Sequence, residues 1–82
     1  MDKMILKYIS LNPAIQHGKP CFRKTRTPVY VVLELLEAGL KPEQIVGKDY
    51  YPDLTLAHVR AALRFATLYA KNQQYLPFAK TN

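Results

Sequence analysis

Residues 27–72 read TPVYVVLELLEAGLKPEQIVGKDYYPDLTLAHVRAALRFATLYAKN, and the fold is decided in this stretch. Thr27-Pro28 reads as a helix start, with Thr as N-cap and Pro at the first helical position. Val29, Val32, Leu33 and Leu36 recur at i, i+3, i+4 and i+7, an apolar face with Glu34 and Glu37 pointing elsewhere. Gly39 is placed to end that helix in a left-handed conformation, with Leu40 just beyond. Pro42 to Val46 reads as a short second helix closed by Gly47, and 48–53 as a loop carrying Tyr50, Tyr51 and Pro52. From Thr55 the longest helix runs to Lys71 or Asn72. Leu56, Val59, Leu63, Ala66 and Ala70 make a stripe expected to face the core. Arg60, Arg64, Thr67 and Lys71 make a basic face. Ala61, Phe65 and Leu68 make a third, apolar line, expected to meet either the N-terminal strands or a second copy. The order is trihelical, of helix-turn-helix type. Bundles that bind no nucleic acid share it.

Upstream, residues 1–27 read as non-helical. Met4–Leu11 alternates loosely, and turn signals at Asn12-Pro13, Gly18 and Pro20 separate it from Cys21-Phe22-Arg23. Short strands near 6–10 and 20–24 are expected, forming a hairpin or arm. Residues 1–72 then make a single domain (arm 1–27, three helices 28–72), followed by a tail, 73–82. Chains of 82 residues bury only about two-thirds of their unfolded surface. A thin core and help from a second copy are consistent with that size.

Composition narrows the function. The chain is 49% hydrophobic and 22% charged, an ordinary globular balance. Its one cysteine excludes an internal disulfide, and there is no Cys/His spacing for zinc. The longest apolar run, Val29–Leu33, is far short of the roughly 20 residues that span a bilayer. The start lacks the apolar segment of a signal peptide, so a cytoplasmic protein is expected. Net charge is +6, in blocks: Asp2 carries −1, residues 3–33 carry +6 and no acid, 34–53 carry −3, and 54–82 carry +4 and no acid. Blocks of this kind can fold into a basic face that attracts nucleic acid or an acidic protein.

Three clusters are candidate DNA contacts. Arg23, Lys24 and Arg26 form the densest cationic group, suited to phosphate or the minor groove; Arg26, next to a cap, could instead hold the fold through Glu34 or Asp53. Arg60 and Arg64, with Lys71 a weaker third, suit a recognition helix, whose N-terminal turn would present Thr55 and His58. His17 and Cys21 are the one pair resembling a nucleophile and base, but Cys21 reads better as a small buried hydrophobe. No carboxylate pair, Ser/His/Asp arrangement, phosphate loop or metal cluster is present, so neither an enzyme nor a cofactor is expected.

Residues 8–70 resemble a known bacterial family, the domain of unknown function 433. The matching marks are Asn12-Pro13, Gly18-Lys19-Pro20, Arg23, Thr25-Arg26, Pro28-Val29, Ala38-Gly39, Tyr51-Pro52-Asp53-Leu54-Thr55 and Ala61-Ala62-Leu63. The resemblance implies a mainly α fold, a homeodomain-like trihelical helix-turn-helix bundle preceded by a short N-terminal β-hairpin. It further implies an antitoxin that neutralises a PIN-like ribonuclease toxin, dimerises, and represses its own operon by binding double-stranded DNA. Under that expectation Tyr75, Leu76 and Phe78 of the tail are the candidate toxin-capture residues, with a strap across the chain's own domain or its dimer mate as the equal alternative, and Ala61, Phe65 and Leu68 are the candidate dimer interface. The alternatives are an interaction module without DNA binding and a stand-alone regulator.

Two departures stand out. Relatives usually carry Gly where this chain has Lys24, so either that turn needs no positive φ or it has been altered. His58 replaces the usual acid at the third position of the last helix, removing the capping-box carboxylate. An acid-free N-terminus suits a DNA phosphate, and equally a change without consequence on a solvated turn.

Overall fold

The computed structural model describes residues 2–12, 14 and 18–72. It is mainly helical, with a short antiparallel hairpin near the N-terminus. The elements are α1 (Lys3–Tyr8), β1 (Ile9–Ser10), β2 (Cys21–Phe22), α2 (Val29–Glu37), α3 (Pro42–Ile45) and α4 (Leu56–Asn72).

The first element corrects the sequence reading: residues 3–8 are helical. Six residues cannot sustain a helix through propensity alone; this one is held at both ends. The Asp2 carboxylate accepts the backbone N–H of Met4 at 2.9 Å and of Ile5 at 3.3 Å, an N-cap. At the other end the Leu6 carbonyl accepts from Arg23 Nε, and the Tyr8 carbonyl from the Arg23 backbone N–H at 2.9 Å. The expected strand at 6–10 is thereby reduced to Ile9–Ser10. Ile9 pairs with Phe22 and Ser10 with Cys21.

The start of α2 is also shifted. The Thr27 carbonyl accepts the Phe22 N–H at 3.0 Å, and Cys21 bridges Pro28. Thr27 thus extends the hairpin and cannot cap the helix. Pro28 occupies the N-cap position with no side-chain cap bond. At the far end the reading holds: Gly39 has φ 101°, its N–H donates to the Leu36 carbonyl at 3.0 Å, and the Leu40 N–H reaches the Leu35 carbonyl at 3.1 Å. That pairing is a Schellman closure, which needs the left-handed residue glycine supplies. Helix α3 starts at Pro42 as expected, and Tyr51 covers the core while Tyr50 stays exposed.

Every element contributes to the core. Phe22, Val29, Val32, Ile45 and Val59 are its largest fully buried side chains, joined by Ile5, Ile9 and Leu54. Ala61 and Ala62 are both 0% exposed, and α1 and α2 each pack on α4. Small residues at such positions let helices approach closely. The expected core stripe of α4 is corrected accordingly. Val59 is buried, but Leu56 is 49% and Leu63 45% exposed. The buried side is instead Ala61, Ala62 and the half-buried Phe65 and Leu68, because α1 packs there.

Candidate functional site

The cationic residues are held by three separate pieces of the fold. The first is the tight turn after β2. Its Thr25 N–H and hydroxyl both donate to the Phe22 carbonyl, at 3.1 and 2.7 Å, and the Thr25 hydroxyl oxygen accepts the Thr27 N–H at 3.1 Å. Inside the turn Lys24 has φ 64°, so the backbone does need the left-handed region here, and a lysine occupies it. Arg23 and Lys24 are both exposed, but Arg23 also closes the end of α1. Arg26 is exposed, and its charge partly offsets the burial that pushes the Cys21 thiol up. The Cys21 thiol is buried and donates to the Lys19 carbonyl at 3.4 Å. Its expected partner His17 lies outside the described residues.

The second piece is the N-terminus of α4. Thr55 is exposed, and its N–H donates to His58 Nδ1 at 2.9 Å, with the Thr55 hydroxyl at 2.9 Å from the same nitrogen. The imidazole thus serves as the capping-box acceptor that a carboxylate usually provides. The ring packs edge-on against Tyr8, 4.8 Å between centroids, and Phe22, 5.6 Å. Burial holds its pKa below the usual 6.5, favouring the neutral form that accepts this bond. The half-buried ring is turned onto the hairpin and α1.

The outward face of α4 is the third piece. Its 17 residues include no acid. Arg60, Arg64, Thr67 and Lys71 are exposed on one side, beside Leu56 and Leu63. Arg64 Nε donates to the Asp2 carboxylate at 2.8 Å, an ion pair between the start of α1 and the middle of α4. Arg64 holds that carboxyl below its ordinary range, aided by the two backbone N–H groups.

These pieces do not merge. Arg60 and Arg64 line a shallow depression with Met4, Leu63 and Thr67. Arg23 borders another, an apolar groove of about 630 Å³ between α1 and the C-terminal half of α4. Asp2 is common to both. The line expected at a dimer interface divides. Ala61 is enclosed by its own chain, whereas Phe65 and Leu68 form one wall of the groove. Tyr75, Leu76 and Phe78 lie outside the described residues. Sequence reading missed Asp2 and Thr25. An aspartate two residues ahead of a loosely apolar run was the available cap signal for the first, and a threonine beside a turn for the second.

A family model described as "Protein of unknown function (DUF433)" matches residues 9–66. The chain belongs to the DUF433 family. The matched span begins at β1 and ends inside α4, leaving out α1 and with it Asp2. No curated protein and no solved structure matches the chain. Among the described residues no helix is long and apolar enough to cross a membrane. No group of three or more His, Cys, Asp or Glu side chains comes together there either.

Proposed function

We propose that this DUF433 chain is an antitoxin-like, homeodomain-type helix-turn-helix protein that neutralises a PIN-like toxin. In this reading it dimerises and represses its own operon, with α2–α3–α4 as the DNA-binding unit. The observation that carries the DNA half is the outward face of α4, which presents Arg60, Arg64 and Lys71 across a helix with no acid. A phosphate backbone is the partner such a face attracts most strongly. Lys24 is a further exposed contact. Arg23 and Arg64 act partly through the fold, since each also holds α1. The toxin half is supported by family resemblance alone.

One observation favours a second reading, a protein-interaction module. Leu56 and Leu63 stand exposed on the same face as Arg60, a pairing that suits an acidic, partly apolar protein surface. Salt separates the two. Phosphate contacts release counterions, so association with DNA should fall steeply and linearly on a log–log plot. An interface centred on the leucines should respond weakly. The test of the first reading is binding to the duplex upstream of the chain's own gene, against a scrambled duplex, across a salt series. Neutralisation is tested by co-expression with the product of the adjacent gene.

A further inference from the structure

We propose that the apolar groove between α1 and the C-terminal half of α4 is the docking site of the chain's own Tyr75, Leu76 and Phe78. The groove selects for apolar groups. Its walls are Leu6 and Leu11 on one side and Phe65, Leu68 and Tyr69 on the other, and Leu6, Leu11 and Tyr69 remain 47%, 59% and 60% exposed. The charged groups at its rim are already engaged, Asp2 with Arg64 and with the start of α1, Arg23 with the Leu6 carbonyl. An anionic or strongly polar ligand finds little there to bind.

Connectivity names the occupant. Asn72, the last residue of α4, lines the groove. Tyr75 follows three residues later, a reach of about 10 Å in extended chain. Residues 73–82 can reach roughly 33 Å, against about 9 Å for the six residues of α1. The segment QQYLPFA, residues 73–79, bears no ionisable charge but for a phenol, so enclosing it buries no ion. Attachment at the groove's own edge supplies an effective concentration in the millimolar range. A second copy must instead overcome the repulsion of two chains at +6 each.

The inference does not rest on the antitoxin reading. Where both hold, a toxin that grips Tyr75, Leu76 and Phe78 must first draw them from the groove. The test uses the isotope-labelled full chain in solution. Expected are nuclear Overhauser effects from the Tyr75 and Phe78 rings to the methyl groups of Leu6, Leu11 and Leu68. They should persist on dilution and vanish in the Tyr75→Ala, Phe78→Ala double variant. That variant should shift amide signals along the groove and leave those of α2 and α3 in place. Absence of these effects in the wild-type chain, with groove signals unmoved in the variant, overturns the proposal. So do effects that appear only between differently labelled chains, which would assign the groove to a second copy.

Discussion

Asp2 and Arg64, sixty-two positions apart, join the first helix to the last through a single carboxylate. One oxygen of Asp2 caps α1 and the other accepts from Arg64 Nε at 2.8 Å. Asp2→Ala removes both bonds and should destabilise the fold, since the first N–H groups of α1 lose their cap. Arg64→Ala, which spares the cap, should cost about 0.2–1 kcal/mol as an exposed pair. The two effects should fall short of additivity in a double-mutant cycle followed by urea unfolding. Because the Asp2 pKa is depressed below 3.8, its contribution is present above that value. It is lost as pH falls through the lower folded value.

Lys24 holds a backbone conformation that glycine adopts without cost. A left-handed L-residue costs about 1–2 kcal/mol. Lys24→Gly should therefore raise stability, by about 1 kcal/mol after glycine's greater unfolded-state entropy is counted. Lys24→Val should lower it, since a β-branched side chain fits that region worst. Denaturant midpoints for the three proteins give the order directly. If the substitution to Gly also weakens DNA binding, the lysine's charge is the reason for its presence.

His58 makes the N-terminus of α4 sensitive to acid. Its pKa is lowered by burial from 6.5, so the neutral form is favoured in the fold. The contribution is complete above about 6.5, where both states are neutral. It is lost as pH falls from there through the lower folded value, because the unfolded chain takes up the proton first. Protonation also removes the Nδ1 acceptor from Thr55. His58→Gln keeps an acceptor in the capping-box position. It should lack this decline, so the difference between the two proteins' stabilities should change between about pH 7 and pH 5. A constant difference would refute the assignment.

Ala61 tests the enclosed side of α4. It is 0% exposed in a single chain, on the helix against which α1 packs. Ala61→Leu should cost about 1–3 kcal/mol through overpacking, with no change in self-association at concentrations where the variant is folded. A change in oligomeric state at unchanged stability would return Ala61 to an interface.

Much of the helical half was legible because its signals are local. Gly39 and Leu40 close α2, Pro42 opens α3 and Thr55 opens α4, each marked by residue types within a turn of the boundary. What escaped depends on partners distant in sequence. Helix α1 exists through Arg64 and Arg23, so residues 3–8 alone show only loose alternation. Its presence leaves Leu63 outward and Phe65 inward; the periodicity within α4 marked both apolar lines but could not choose which of them the N-terminal segment covers. Thr27 illustrates the same point, since its carbonyl goes to Phe22 and the cap passes to Pro28. Among candidate DNA-binding residues, basic charge was visible in advance, but which arginine also serves the fold was not.

In the proposed function the exposed cations of α4 meet DNA phosphates. This is tested most directly by comparing wild-type protein with the Arg60→Gln, Lys71→Gln double variant on the upstream duplex across a salt series. Selective binding by the wild type over a scrambled duplex is expected. In the variant the slope of log affinity against log salt should become shallower by about 0.9 for each phosphate no longer neutralised, with the unfolding midpoint unchanged. Equal affinity for both duplexes at low salt, or an identical slope in the variant, would contradict the proposal.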